Sequence, residues 1–557
     1  MIRDHDTTIG DGDLRLREIT PADAPDLCRW RMEPATRAWF RDAEAVPYEA
    51  HRMFVAGYFA ADNTDRWFVI ETGGEAVGTI ALYGFSPDGA AAEWGRFVIA
   101  PERRGRGWGR RSLELLIEHA HALGVRTLHC EVLSGNGAER LYRRLGFVET
   151  GVSEQDGRRF VRLAAGLTDA RAPEPIHLFV PTFRVEESLA EIRECLERGW
   201  TGLGFKTVDF ERSWCEYAEV AHAHFLNSAT AGLHLAFKLL KEADGWRPGD
   251  EVITTPLTFV STNHAILYED LQPVFADVDE YLSLDPASVA ERITPRTRAV
   301  CFVGLGGNAG RYEAVRDLCR ARGLRLVLDA AHMTGTRTRG RHVGGDADVA
   351  VFSFQAVKNL PTADSGMVCF ADAGLDTTVR AWTWLGIDKD TYTRTLQAGT
   401  YQWLYDVPYV GHKYHGNSIM AALGLVGLRY VEADNDHRRR IADWYDADLG
   451  DAAGIGRVPM APETTPSRHL YQVLVDDRDE VMAAMNRRGV FPGVHYRDNT
   501  LYRMYAFADG TCPRARWASE RLISLPLHLR LGRADVRRVA QALRDAVAER
   551  ARATSGR

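Results

Sequence analysis

Short runs rich in valine and isoleucine alternate with helical stretches in the second half of the chain, and this alternation restricts the folds open to it. The runs are Val252–Thr254, Val274–Ala276, Ala299–Val303, Leu324–Leu328 and Val349–Ser353. Such alternation is typical of a mainly parallel sheet that is covered by helices on both faces. Ligands of these sheets bind beyond the carboxyl ends of the strands. The sequence therefore predicts an α/β fold with its site at that edge.

Residues with useful chemistry stand at this predicted edge. Asp329 follows one run, Ser353 ends another, and Lys358 comes five residues later in "VFSFQAVKNL". Upstream, "NSATAGLHLAFKLL" starts a helix with Thr230 and Ala231 at its N-terminus, where backbone N–H groups bind phosphate. An isolated lysine is usually a solvated surface group, but a phosphate site, a carboxylate and a lysine together suggest pyridoxal 5'-phosphate (PLP).

Composition and length limit the class of protein. The 557 residues are 45% hydrophobic and 26% charged, which is typical of a soluble globular protein with two to four domains. The net charge of -7 and the pI near 6.2 argue against a nucleic-acid partner and favour small metabolites. No apolar run of about 18 residues predicts a membrane span, and the polar start does not resemble a signal peptide, so we expect a cytoplasmic protein. The eight cysteines form no CxxC pair, so neither a disulfide framework nor a metal site is predicted.

A linker divides the chain. Residues 166–176, "GLTDARAPEPI", are rich in small and polar residues and contain prolines, a composition typical of linkers. We therefore expect a first domain over residues 1–165 and a second over residues 177–557.

The first domain contains a glycine-rich turn between a predicted strand, Phe97–Ala100, and a helix. The turn, "RGRGWG", contributes Arg104, Gly105, Gly107 and Gly109 at the start of the helix, where the backbone can hold a pyrophosphate. A second strand, "TLHCEVL", and the segment "NGAERLYRRLGFVETG" follow. By itself a glycine-rich turn is a weak signal.

In this order the motifs resemble the GNAT family of acetyl-CoA-dependent N-acetyltransferases, over about residues 12–165. The resemblance implies a mixed central sheet with flanking helices and an acetyl-CoA site, to which it assigns Arg104, Gly105, Gly107, Gly109 and Asn136. By analogy Tyr142 is the general acid, unless it only packs on the cofactor. Glu93 and Glu131 are the candidate bases. A nucleic-acid patch would leave the glycine spacing unexplained.

The second domain resembles the DegT family of sugar aminotransferases, which are fold type I PLP enzymes, over about residues 176–548. This family has a mainly parallel sheet between helices and a smaller C-terminal α/β subdomain. The resemblance places Lys358 where the cofactor is held covalently, Asp329 at the ring nitrogen and His332 near the ring hydroxyl. It assigns further cofactor contacts to Phe259, Thr230, Ala231, Ser353 and Lys413, and substrate contacts to His495 and Tyr496 in "GVHYRDN".

Some positions depart from the family pattern. Ala229 stands where glycine is common, Asp364-Ser365-Gly366 replaces Glu-Gly-Gly, and Lys413 replaces the usual asparagine in a segment lent to the neighbouring subunit. His332 and His495 remain open to a purely structural role. The resemblance also implies a homodimer with shared active sites.

The two resemblances together suggest a bifunctional enzyme. A transaminase makes an amine and a GNAT domain consumes one, so we expect amination of a nucleotide-linked keto-deoxysugar, with glutamate as donor, followed by N-acetylation. The alternatives are a cyclitol or other carbocyclic ketone as substrate, an unrelated amine as acetyl acceptor, and a PLP-binding regulatory protein without turnover.

Overall fold

The computed structural model describes residues 7–10, 14–60, 63–167, 174–389, 392 and 404–555. The chain separates into two compact units, Met1–Glu174 and Pro175–Arg557. The predicted linker lies across this boundary, and its residues 168–173 lie outside the described residues.

The first unit is a twisted sheet with helices on both faces. Its strands are β1 (Thr8–Ile9), β2 (Leu14–Glu18), β3 (Arg66–Thr72), β4 (Glu75–Tyr83), β5 (Ala91–Ile99), β6 (Thr127–Leu133), β7 (Val148–Gln155) and β8 (Arg158–Gly166). Its helices are α1 (Ala24–Met32), α2 (Pro34–Arg37), α3 (Tyr48–Tyr58), α4 (Trp108–Ala122) and α5 (Glu139–Arg144). The strand order is β1-β2-β3-β4-β5-β6-β8-β7, and β5 and β6 form the parallel pair.

The sheet opens between β5 and β6. These strands pair only from Ala91–Glu93 to Thr127–His129, and their remaining residues make no ladder with each other. A bulge in β5 opposite β4 coincides with Arg96, whose φ of 48° lies in the left-handed region. Bulges re-aim side chains and end pairing, and they are frequent next to active sites. The bulge in β5 and the end of the β5–β6 pairing together produce this opening in the sheet.

Each face of this sheet has its own core. Helix α4 buries Leu113, Leu116 and Ala120 against one face, as the spacing of these residues predicts, while Ile117 is half-buried. Helices α1 and α3 cover the other face with a cluster that includes Trp30 and Val55. The two faces can therefore serve different ligands.

The second unit is built on a seven-stranded sheet. Its strands are β10 (His222–Leu226), β11 (Glu251–Thr254), β12 (Gln272–Phe275), β13 (Thr297–Val303), β14 (Arg325–Asp329), β17 (Val349–Ser353) and β18 (Gly366–Phe370), in the order β10-β18-β17-β14-β13-β11-β12. Only β18 runs antiparallel to its neighbours. The five runs that the sequence predicts as strands are all strands, with ends within two residues of the prediction.

Helices flank this sheet and form the rest of the unit. They are α6 (Val185–Glu197), α7 (Phe205–Ala218), α8 (Ala229–Asp244), α9 (Val260–Leu267), α10 (Pro286–Arg292), α11 (Tyr312–Arg322), α12 (Ala373–Thr383), α13 (Ser418–Leu428), α14 (Val431–Leu449), α15 (Arg478–Arg487), α16 (Pro513–Arg521) and α17 (Arg533–Ser555). Short strands complete it: β9 (Ile176–His177), β15 (Arg337–Thr338), β16 (Arg341–His342), β19 (Gly456–Arg457), β20 (Thr464–Thr465), β21 (Tyr471–Leu474), β22 (Val490–Phe491) and β23 (Leu522–Leu525). The smaller C-terminal subdomain packs α14, α15 and α17 on the sheet β19-β21-β23.

All eight cysteines lie in described segments and are free thiols. None of the described helices combines the length and the apolar character that a membrane crossing requires.

Candidate active sites

A cleft of about 530 Å³ lies at the carboxyl ends of the strands in the second unit. It brings together eight residues that the sequence selects: Thr230, Phe259, Asp329, His332, Ser353, Lys358, His495 and Tyr496. They come from separate loops and helix starts, and the parallel strands deliver Asp329 and Ser353 to one edge. The predicted edge is therefore the location of the cleft.

Asp329 is the buried carboxylate of the cleft. Thr262 Oγ1 donates a hydrogen bond to Oδ2 at 2.7 Å, and the backbone N–H of Ala331 donates to Oδ1 at 3.1 Å. Burial raises the pKa of Asp329, whereas these two donors and the charge of Lys358 oppose the rise. A cationic group placed against Asp329 would favour its ionised form.

Lys358 faces Asp329 across the same cleft. Burial lowers the pKa of its ammonium group to about 8, and the charge of Asp329 opposes this shift only in part. At pH 7 about a tenth of such a lysine is neutral, far more than of a lysine in water, so its amine can act as a nucleophile or accept a proton.

The hydrogen bonds of His332 fix its tautomer. The backbone N–H of Gly306 donates to Nδ1 at 3.2 Å, so Nδ1 has no proton in the neutral ring. Burial holds the pKa of His332 well below its usual range, so the ring is neutral. The proton is then on Nε2, which lies 3.2 Å from Oη of Tyr496. His332 donates to Tyr496, and the Tyr496 hydroxyl is left to donate into the cleft.

A third histidine, His469, lines the cleft, and the sequence analysis does not select it. His469 stacks on Phe179 at 5.4 Å between ring centroids, lies 4.3 Å from the ring of His332, and hydrogen-bonds Asn359 through Nδ1 at 3.0 Å. Burial keeps the pKa of His469 well below its usual range. Phe179 and His469 carry no local motif, so only the fold reveals them, whereas Thr262 lies three residues after the predicted Phe259 in "PLTFVST".

One end of the cleft is built for an anion. Ser228 caps helix α8 by accepting from Ala231 N–H at 3.1 Å, and Ser228, Thr230 and Ser353 contribute hydroxyl groups. Gly366 permits this arrangement, since a Cβ there would lie 2.6 Å from the backbone N of Ala229. The predicted phosphate contact Ala231 does not line the cleft, and its N–H donates to Ser228.

Two predicted cofactor contacts behave differently. Phe259 lines the cleft and is 57% exposed, so one ring face is open to a ligand. Lys413 does not line the cleft; its Nζ lies 3.3 Å from the ring centroid of Trp384. Lys413 therefore does not reach the cofactor cleft of its own chain.

In the first unit, the glycine-rich turn ends where helix α4 begins. Gly105 and Gly107 have φ of 81° and 80°, values that favour glycine, and no side chain caps the helix. A Cβ on Gly109 would make only an ordinary van der Waals contact with Phe97 at 3.4 Å, so the packing of the helix on β5 does not require a glycine there. The first N–H groups of α4 are thus available to a phosphate.

Two polar residues assigned to the acetyl-CoA site have local roles. Arg104 donates to the carbonyl of Ile99 at 3.1 Å and to Thr36 Oγ1 at 2.6 Å, so it ties the turn to the unit. Asn136 Oδ1 accepts from Ala138 N–H at 2.9 Å and shapes the turn before α5. Arg104 thus supports the glycine-rich turn, and Asn136 supports the separate turn before α5.

Tyr142 is buried in the core beneath the opening of the sheet. Its ring lies 4.9 Å from Trp94 and 6.4 Å from Phe147, and burial raises its pKa. The phenol is therefore protonated near neutral pH, as a general acid has to be.

The two candidate bases differ in their surroundings. Glu131 accepts hydrogen bonds from Arg41, from Ser153 at 3.1 Å and from Arg162 at 3.1 Å. These donors engage both carboxylate oxygens of Glu131, and its role as the base stays a prediction. Glu93 is exposed in the paired part of β5, opposite Tyr83, and its role as a base also stays a prediction.

Comparison with known proteins identifies the family of this chain. The sequence model of the DegT/DnrJ/EryC1/StrS aminotransferases matches residues 183–544. The chain belongs to this aminotransferase family. The model of the GNAT acetyltransferases matches residues 25–147, so the first unit contains a GNAT acetyltransferase domain. The protein therefore has both transferase activities, and the second unit has the fold type I architecture.

Similar proteins match the aminotransferase over nearly their whole length. The spore coat polysaccharide biosynthesis protein SpsC of Bacillus subtilis (strain 168) is 33% identical over 374 residues, which are 65% of this chain and 95% of SpsC. The aminotransferase TlmJ from Streptoalloteichus hindustanus is 34% identical, with a TM-score of 0.62, over 67% of this chain and 99% of TlmJ. DesI, solved in the presence of its TDP-sugar product, is 29% identical, with a TM-score of 0.61, over 69% of this chain and 96% of DesI.

The cleft of this aminotransferase fits PLP, on which the family depends. A buried carboxylate suits a protonated ring nitrogen, a lysine with a lowered pKa suits a covalent bond to the aldehyde, and a helix N-terminus with three hydroxyl groups suits a phosphate. Asp329, Lys358, Ser228, Thr230 and Ser353 would hold these parts.

Proposed function

We propose that this enzyme aminates a nucleotide-linked keto-deoxysugar, with L-glutamate as amino donor, and then acetylates the new nitrogen with acetyl-CoA. The aminotransferase occupies residues 177–557 and the acetyltransferase residues 1–165. The observation that carries the proposal is the convergence of Asp329, Lys358 and the phosphate-binding helix start in one cleft, beside a GNAT domain in the same chain.

The similar proteins support a sugar substrate. SpsC is named for polysaccharide biosynthesis, and DesI is described with a TDP-sugar product. A cleft of 530 Å³ falls within the range of small-molecule sites, roughly 300–1,000 Å³. It suits a cofactor together with one sugar ring.

Each residue of the cleft has a defined part. Bound PLP supplies an electron sink for the pair released when the amino acid loses its α-proton. Asp329 keeps a proton on the nitrogen that faces it. Lys358 accepts and returns protons on one side of the cleft, because its pKa of about 8 lets it do both near neutral pH. Neutral His332 orients the Tyr496 hydroxyl.

The acetyltransferase would use the opening between β5 and β6. Gly105 and Gly107, with positive φ, together with Gly109 at the start of α4 hold the pyrophosphate of acetyl-CoA. The neutral amine attacks the thioester carbon, Glu93 accepts a proton through water, and Tyr142 protonates the departing thiolate. The buried, protonated state of Tyr142 suits the last step.

A homodimer with shared sites completes the proposal. Helix α6 exposes Val185, Leu189 and Leu196, at 58%, 52% and 62%, on one apolar face. Val410 is 94% exposed and lies three residues before Lys413, in the segment of this chain that we expect to reach the active site of the neighbouring subunit. A second copy of the chain would cover these surfaces, and Lys413 would reach the partner's cleft.

Mass spectrometry of the products tests the function. The full-length protein is incubated with PLP, glutamate and TDP-linked 4-keto- and 3-keto-6-deoxyhexoses, with and without acetyl-CoA. We expect a ketone replaced by an amine, and one acetyl group more only when acetyl-CoA is present. An amine that is never acetylated would contradict the coupling, and amination of a cyclitol ketone alone would contradict the sugar.

A further inference from the structure

A second cavity, of about 230 Å³, lies in the first unit on the face covered by α1 and α3. Its walls are mostly apolar and aromatic: Leu27, Phe40, Val46, Ala50, Phe54, Trp67 and Val98. The volume is below the roughly 300 Å³ at which drug-sized ligand pockets begin. The cavity therefore admits about one six-membered ring, and the rest of a larger ligand stays outside.

The cavity adjoins the bulge of β5. Arg96, the residue with positive φ, lines it, and the same bulge lies next to the opening between β5 and β6. A ligand in the cavity would thus lie beside the place where the acetyl group is expected.

Two of the four polar lining residues already have partners. Thr79 Oγ1 accepts from Trp67 Nε1 at 2.6 Å and donates to the carbonyl of Phe68 at 3.0 Å. Arg96 pairs with Asp65 at 3.1 Å and lies against the rings of Trp67 and Tyr83. These residues shape the wall.

The other two, Arg31 and His51, are left for a ligand. In the part of the chain that the structure describes, no carboxylate lies within ion-pair distance of Arg31, which contacts the ring of Phe40 at 4.9 Å. Nε2 of His51 is buried and has no hydrogen-bond partner among the described residues. Burial and the charge of Arg31 lower the pKa of His51. A buried polar atom without a partner costs free energy, which a ligand could recover.

The charge of the lining selects the ligand. Both ionised side chains, Arg31 and Arg96, are cationic, and none of the described lining residues is acidic. Guanidinium groups attract phosphate and repel ammonium.

We propose that this cavity binds the acetyl acceptor, an amine on a deoxygenated six-membered sugar ring that carries a phosphate group, and that Arg31 binds the phosphate. This inference rests on the proposed acetyltransferase and names its substrate class. In the reaction, the amine nitrogen bonds to the thioester carbon as the carbon–sulfur bond breaks. One proton leaves nitrogen and one proton reaches the thiolate of coenzyme A.

Acetylation of supplied amines tests the inference without transamination. The full-length protein receives acetyl-CoA and no glutamate, and released thiol is followed with 3-amino- and 4-amino-dideoxyhexose 1-phosphates and with the same sugars lacking phosphate. We expect kcat/KM to be at least about tenfold higher for one of the phosphates, as a hydrogen bond to a charged group allows. Arg31→Gln should abolish this preference.

Arg29→Gln is the matched control. Arg29 lies on the same helix but pairs with Asp26 at 2.7 Å, so its loss should leave the preference unchanged. Binding of glucose 1-phosphate, measured by calorimetry, gives a readout that needs no turnover and should weaken only in Arg31→Gln. Equal rates with and without phosphate, or acetylation of peptide N-termini alone, would overturn the inference. Failure to aminate a keto sugar would overturn the proposed function and leave this result intact.

Discussion

At the scale of single residues, one hydroxyl group does most among the described residues to favour the ionised form of Asp329. Burial alone would favour the neutral acid, and the Thr262 hydrogen bond at 2.7 Å is the strongest described effect that lowers the pKa. A hydrogen bond to a charged group contributes about 1.5–3 kcal/mol, which is equivalent to one to two pKa units.

Thr262→Val should therefore raise the pKa of Asp329. Because the carboxylate is the active form, activity is lost as pH falls through this pKa, and the loss should begin about one to two pH units higher than in the unchanged protein. The measurement is the acid limb of kcat/KM for glutamate. Thr262→Ser keeps the hydroxyl and should keep the profile; the same shift in both variants would contradict this role.

The residues that could be predicted share a position in the sequence pattern. Asp329, Ser353 and Lys358 follow strands that hydrophobic runs reveal, so the edge they occupy could be inferred. Thr262 lies inside a helix, and His469 lies in a loop more than 100 residues after Lys358. Their contacts depend on packing between distant segments, which one sequence does not display.

At the scale of elements, the phosphate-binding end of the cleft depends on close packing between strand β18 and the start of helix α8. Gly366 is the point of contact, and an added Cβ would meet the backbone of Ser228 and Ala229 at 2.6 to 2.9 Å. Backbone atoms cannot move aside as flexible side chains can.

Gly366→Ala should push α8 away and weaken PLP binding. We expect a destabilisation of about 1–3 kcal/mol, as for other overpacked cores, and a raised Kd for PLP, measured by thermal unfolding and by cofactor titration. Gly202→Ala is the control, since a Cβ there meets nothing within 4 Å and its φ is not positive. An unchanged Kd in Gly366→Ala would show that the helix start does not bind the phosphate.

Strand β5 is longer than the sequence pattern predicts. The sequence predicts a short strand at Phe97–Ala100, whereas β5 runs from Ala91 to Ile99. The bulge at Arg96 breaks the alternation that would have revealed the whole strand. The irregularity that hides the strand is the one that positions the cavity and the opening of the sheet.

At the scale of the whole molecule, the candidate groups for the two reactions lie in two separate compact units. The aminotransferase groups lie in Pro175–Arg557 and the acetyltransferase groups in Met1–Glu174. Since neither set includes a described residue of the other unit, a defect in one reaction should leave the other chemistry intact.

Two single variants should therefore complement each other. Lys358→Ala removes the proton carrier of the cleft and should abolish amine formation. Gly107→Val places a branched residue at φ 80° and should disrupt the turn that holds acetyl-CoA. Each variant alone should make no acetylated product from keto sugar and glutamate, but an equimolar mixture should make it, with the free amine detected as an intermediate by mass spectrometry. If the mixture yields amine that is never acetylated, although the Lys358→Ala protein acetylates the same amine when it is supplied, the amine does not leave one chain to reach another. The two reactions would then be coupled within one assembly.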